Sequence, residues 1–195
     1  YNDIVNGCEQ CQKFAPAPER SKVSGIRAER FGDLWFVDHV DVTLNKKQYL
    51  CLVIIDALSN LLFVEVQQDK LPETTLEAFQ KCRFEWKLKP KHVCGDQYFE
   101  SEEFKKYYST ESIHHIPLGP HTPWPNRAEA AVKLFQNQMK ILGDSVQRYA
   151  ATIPVLKGIT VRRLAHESVY ARNQTLTYGQ KTPCLLYTSD AADEE

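Results

Sequence analysis

Between residues 34 and 66 the apolar positions fall into three short runs of different period. From Leu34 to Val42 the pattern alternates. Leu34, Phe36, Asp38, Val40 and Val42 share one face, and Trp35, Val37, His39 and Asp41 share the other, which is the period of a strand. Tyr49–Ile55 is continuously apolar, as a strand covered on both faces is, and Leu61–Val66 is rich in β-forming residues. Asp56–Asn60 suits a tight reversal, so the first half reads as an antiparallel three-stranded meander. The period then lengthens. Pro72 is placed for the first turn of a helix running to about Lys87, and Pro90 ends it. His92–Cys94 and Ser112–Ile116 read as short strands, with Ser101 positioned to cap a helix reaching about Tyr108. A loop containing Pro117, Pro120, Pro123 and Pro125 precedes a strong helix that starts after Asn126, and residues 144–180 read as mostly helical. Strand–helix–strand–helix order implies parallel pairing. The expected fold class is therefore α/β, a mixed five-stranded sheet flanked by helices.

Composition adds limits. A chain of 195 residues supports one domain with a substantial core, and 43% apolar with 25% charged residues is the balance of a water-soluble domain. No apolar run approaches the roughly 20 residues that span a bilayer, and no charged-then-apolar leader opens the chain. Six cysteines without a framework pattern point to a reduced, intracellular protein. The chain begins at Tyr1 and its only methionine is Met139, so it reads as a segment of a longer reading frame. From Cys184 it continues CLLYTSDAADEE, which resembles the translation of a sequencing-library adapter; residues 184–195 are set aside as foreign to the fold. Without the four acids of that tail (Asp190, Asp193, Glu194 and Glu195) the formal net charge of −1 becomes +3. Net charge then no longer argues against a nucleic-acid partner.

Three carboxylates stand out. Asp38 shares a strand face with Phe36 and Val40, where a charge is costly unless paired or bound to metal; the alternative is a strand amphipathic the other way, with Asp38 solvated. Asp96 follows Gly95 at a strand end, where α/β proteins place working groups, although aspartate after glycine is also ordinary turn chemistry. Glu129 lies three residues after Asn126 and would complete a capping box. It also opens a second stripe, Glu129, Lys133, Gln136 and Lys140, beside the apolar stripe Ala128, Val132, Phe135, Met139 and Leu142. An acid followed by lysines suits a metal site leading into a phosphate track, or simply a solvated helix face. Converging carboxylates are what two-metal phosphoryl transfer needs, because hard cations take oxygen ligands.

The segments LWFVDHVDV, YLCLVIIDALSN, HVCGDQYFES and PHTPWPNRAEAAVKLF, in that order, resemble the catalytic core of retroviral and long-terminal-repeat retrotransposon integrases, of the gypsy or BEL kind. The resemblance runs from about Cys8 to Pro183 and includes YARNQTLTYGQKTP, similar to the segment that follows the core. It implies a ribonuclease-H-like fold carved from a Pol polyprotein, with Asp38, Asp96 and Glu129 as catalytic acids that hold Mg²⁺ or Mn²⁺. It also implies hydrolysis of a DNA 3′ end and attack of that 3′ hydroxyl on target DNA, without a covalent enzyme intermediate. Lys133, Gln136 and Lys140 would lie along the DNA. The implied partners are element ends, target DNA and further copies of the chain, with no membrane, and the implied place of action is the nucleus. Three features depart from the family: Asp96-Gln97-Tyr98 stands where Asp-Asn-Gly is usual, thirty-two residues separate Asp96 from Glu129, a little fewer than usual, and Asn126 replaces a glycine. Cys8 and Cys11 resemble half of the family's amino-terminal zinc module. Zinc is expected only in a chain that also carries the module's histidines. His114 and His115 read as ordinary surface or core histidines.

The expected organisation is a zinc-module remnant and linker over 1–30, a catalytic core over 31–143, a helical extension over 144–183, and the foreign tail. Two alternatives to the enzyme are an inactive or domesticated remnant that binds DNA or protein, and a different nuclease on the same fold.

Overall fold

The computed structural model describes residues 28–44, 46–118, 127–175 and 182–184, with 127–130 as backbone only. Strands β1 (Leu34–Leu44), β2 (Lys47–Asp56) and β3 (Leu62–Gln67) form the expected antiparallel meander. Helix α1 (Pro72–Trp86) leads to β4 (His92–Gly95), and α2 (Glu102–Glu111) leads to β5 (His114–Pro117). Both returning strands pair in parallel, giving one five-stranded sheet in the order β3-β2-β1-β4-β5. Helix α3 (Arg127–Tyr149), a short 3-10 turn (Pro154–Gly158) and α4 (Val161–Thr175) complete the described chain. The expected helical extension is therefore broken in two by that turn, with Pro154 at its start.

Strand β1 lies at the centre of the sheet, and its alternation sorts the core. Leu34, Phe36, Val40 and Val42 pack with Val132, Phe135 and Met139 of α3 and with Leu164 and Ala165 of α4. Trp35 and Val37 face the other way and pack with Phe79, Cys82 and Trp86 of α1 and with Phe104 and Tyr108 of α2. Burying a side chain such as Phe135 contributes roughly 1.5–3 kcal/mol. The sheet is thus covered by α3 and α4 on one face and by α1 and α2 on the other.

Polar contacts fix the edges. Asp56 is buried at the β2–β3 turn and accepts from the backbone N–H of Gly32, Leu58 and Ser59 and from the Ser59 hydroxyl. Asn173 of α4 brackets Leu62, donating to its carbonyl at 2.9 Å and accepting from its N–H at 3.0 Å. Glu65 on β3 receives Lys81 from α1 at 2.6 Å and Arg162 from α4 at 3.2 Å, joining helices from opposite faces around the sheet edge. Ser101 precedes α2 as expected, but makes no side-chain cap. Its N–H closes the preceding 3-10 turn on Tyr98, and its hydroxyl is buried without a hydrogen-bond partner. Cys184, the first residue of the segment set aside as foreign, is half-buried against the Trp35–Phe79 side of the core and so packs with the fold. The rest of that segment, Cys8 and Cys11 lie outside the described residues. No helix among the described residues is long and apolar enough to cross a membrane.

Candidate active site

Parallel pairing sets the two strand acids side by side. Strands β1 and β4 are in register from Leu34↔His92 to Phe36↔Cys94. Asp38, on β1, and Asp96, just past the end of β4, each lie two residues beyond that last pair; where they pair, neighbouring strands are about 4.8 Å apart. Phe36 and Cys94 both belong to the α3-facing core; alternation along β1 puts Asp38 on that same face, and Asp96 follows two residues after Cys94 where β4 has ended. Asp38 is half-buried, with Oδ1 accepting from the His39 N–H at 2.8 Å. Asp96 is exposed, and its Oδ1 accepts from the Tyr98 N–H at 3.1 Å, capping the 3-10 helix Gln97–Glu100. The turn reading of Asp96 and the site reading both hold geometrically, since one oxygen caps the turn while the carboxylate stays level with Asp38.

Gly95 makes the approach possible. A Cβ built there lies 2.7 Å from both the Phe99 ring and a Val37 methyl, closer than side-chain carbons approach. Gly95→Ala is therefore expected to destabilise the fold by about 1–3 kcal/mol through overpacking. Urea denaturation reads this directly, and an unchanged midpoint would show that the strand end is not clamped.

Two contacts place the third acid's helix. The Gln136 amide donates to the Asp41 carbonyl at 2.9 Å, and Gly143 lies against Leu44. From Gln136 to Gly143 the helix rises about 10.5 Å, and from Asp41 to Leu44 the strand advances about 10 Å, so α3 runs alongside β1 in the same direction. The same step taken backwards leads from Gln136 to residue 129 and from Asp41 to Asp38. Position 129 is thus level with Asp38 and shares the helix face of Gln136; the Glu129 side chain itself is outside the described residues.

The remaining predicted residues divide. Lys133 and Lys140 are exposed along α3, whereas Gln136 is half-buried and spends its amide docking the helix on β1. His114 is exposed; His115 stacks on Tyr108, is held below the usual histidine range mainly by burial, and lies 3.5 Å from Glu100. Among the described residues no group of three His, Cys, Asp or Glu could hold a metal, the Glu129 carboxylate not being one of them. The donors that Asp38 and Asp96 offer are hard carboxylate oxygens, the type Mg²⁺ and Mn²⁺ take. The nearby Cys94 thiol is pushed up to about 11 by burial and offers no soft ligand. Two concavities of about 370 and 530 Å³ lie away from the acids, one beside Glu65 and Arg162 and one between Arg83 and Lys87. The acids themselves line no enclosed pocket among these.

Sequence reasoning missed the groups behind this site. His39, Thr75, Gln67 and Tyr98 meet on the opposite face of β1, and Thr75 is 0% exposed. A threonine in the first turn of α1 carries no signal of such a role, because its partners come from β1, β3 and the segment after β4.

A five-stranded mixed sheet with this order and helices on both faces is a ribonuclease-H-like fold, the fold of integrase catalytic cores. Solved structures similar to it include retroviral integrases. The catalytic core domain of HTLV-2 integrase, in complex with magnesium in a dimeric form, superposes with a TM-score of 0.65 at 18% identity, covering 83% of this chain and 99% of that one. A simian T-cell lymphotropic virus intasome in complex with the PP2A regulatory subunit B56 gamma gives 0.70 at 17% identity over 95% of this chain and 65% of that one. The catalytic core domain of BIV integrase gives 0.61 at 16% identity over 84% and 98%. No protein-family model and no curated protein matches the sequence.

Proposed function

We propose that the chain is an integrase-type catalytic core, a divalent-metal-dependent polynucleotidyl transferase that trims a DNA 3′ end and joins it to target DNA. One observation carries the reading: Asp38 on β1 and Asp96 just past the end of β4 each lie two residues beyond the last β1–β4 pair, and position 129 lies level with Asp38 on the helix packed over that face. Both aspartate side chains offer hard carboxylate oxygens, the ligand type a divalent cation takes, and Asp96 keeps one oxygen on the turn that follows it. Asp38, Asp96 and Glu129 would hold a pair of Mg²⁺ or Mn²⁺ ions, which when bound supply Lewis-acid stabilisation of charge on the attacking and leaving oxygens. Lys133 and Lys140 meet the phosphate backbone farther along α3, while Gln136 keeps that helix seated on β1. The substrates are the ends of a retrotransposon of the gypsy or BEL kind and the DNA that receives them. The protein acts in the nucleus as an assembly of several copies.

The test is incubation of the protein with a labelled duplex oligonucleotide and plasmid DNA in Mg²⁺ or Mn²⁺. Trimmed and joined products support the enzyme. DNA binding with neither product, in both metals, would favour the domesticated-remnant reading, and cleavage without joining would favour a different nuclease on this fold.

A further inference from the structure

We propose that Thr75 is a positioning residue for the two strand acids, acting from the far side of the sheet; the inference rests on Asp38 and Asp96 being the metal-holding pair. The geometry is a closed relay. The Thr75 hydroxyl is 3.3 Å from His39 Nε2 and 2.9 Å from the Tyr98 hydroxyl. His39 and Tyr98 are also the residues whose backbone N–H groups donate to Asp38 Oδ1, at 2.8 Å, and to Asp96 Oδ1, at 3.1 Å. One side-chain oxygen therefore ties together the side chains of the two residues whose backbone N–H groups orient the two carboxylates. His39 and Tyr98 also touch each other edge to face at 4.7 Å, and His39 stacks on Phe99 at 5.3 Å, so neither ring has room to drift. Gln67, at the end of β3, donates its amide to Thr75 at 3.0 Å and anchors the relay to the sheet edge.

Proton counting makes the relay specific. Tyr98 has one hydroxyl proton, and it goes to the Lys70 carbonyl at 2.9 Å. Thr75 must then donate to the Tyr98 oxygen and accept from Gln67, which leaves its second lone pair for His39. His39 Nε2 is accordingly a donor. Its Nδ1 is buried without a hydrogen-bond partner, so a proton placed there would have no acceptor. With that assignment the His39 ring carries its proton on Nε2. Every bonding position of the Thr75 hydroxyl is occupied, and at 0% exposure no water replaces it if it is removed.

The test compares wild type with Thr75→Val, which keeps the shape and deletes the hydroxyl, and Thr75→Ser, which restores it. Mn²⁺ affinity is measured by titration calorimetry and the His39 ring form by ¹⁵N NMR. Thr75→Val is expected to weaken Mn²⁺ binding roughly tenfold, as loss of a group that orients ligands does. It should also release His39 into mixed ring forms, and Thr75→Ser should recover both. Should Thr75→Val fail to fold, Tyr98→Phe removes the next hydroxyl of the relay from a half-buried position and is expected to weaken Mn²⁺ in the same direction. Wild-type affinity in a folded Thr75→Val, or an Nδ1–H ring in the wild type, overturns the inference. Mn²⁺ binding lost in Asp38→Asn but untouched in Thr75→Val overturns it alone. Binding that Asp38→Asn leaves unchanged overturns the site reading as well.

Discussion

Asp38→Asn is expected to reduce DNA joining by a hundred- to a thousandfold or more, roughly the loss seen when one preorganised electrostatic group is taken from a transition state. The substitution keeps an oxygen that can still accept from the His39 N–H, so the local backbone has no reason to move. What it removes is a charge two residues past the last β1–β4 pair, where Asp96 follows β4. Without metal the variant should be as stable as the wild type or slightly more so, because repulsion between the acids is relieved. The gain stays small because Asp96 is exposed and water screens the pair. DNA binding should persist, as Asp38 makes no phosphate contact in this account. Joining assays beside thermal melts separate these effects, and a variant that joins DNA normally would remove Asp38 from the chemistry.

Phe135→Ala should produce the largest loss of stability, about 3–5 kcal/mol. Phe135 is 0% exposed at the centre of the α3 seam, among Leu34, Phe36 and Met139. Against the roughly 5–15 kcal/mol that holds a domain together, that loss leaves the fold marginal. The helix it seats carries position 129, so cation binding should weaken in step with stability. Phe84→Ala is the matched control: the same ring at 84% exposure on α1 is expected to cost almost nothing. Equal urea midpoints for the two variants would contradict the packing described for α3.

The parts of the fold legible in the sequence are those written in side-chain burial. Alternation along Leu34–Val42 assigned each residue to its face because β1 is central and both faces are covered. What burial does not write was missed. Strands β1 and β2 extend to Leu44 and Lys47 because backbone pairing continues through the exposed Thr43↔Gln48 step, where no apolar pattern marks it. Helix α2 runs three residues past Tyr108, and Ser112 adopts a left-handed conformation that ends it, so β5 starts at His114 rather than at Ser112. Of the site, the level of Asp38 against Asp96 follows once parallel pairing of β1 and β4 is inferred. The docking of Gln136 on Asp41 and the relay through Thr75 do not, since each joins residues far apart in the chain through a single polar contact.

If Asp38, Asp96 and Glu129 hold divalent cations, the ions sit on the face covered by α3. Crystals grown with Mn²⁺ and measured at its absorption edge test this most directly. The expected result is anomalous density bridging Asp38 and Asp96, with Glu129 completing the site, and none there in Asp38→Asn crystals. Manganese bound elsewhere with these carboxylates unoccupied, or a Glu129 carboxylate turned away from Asp38, would contradict it.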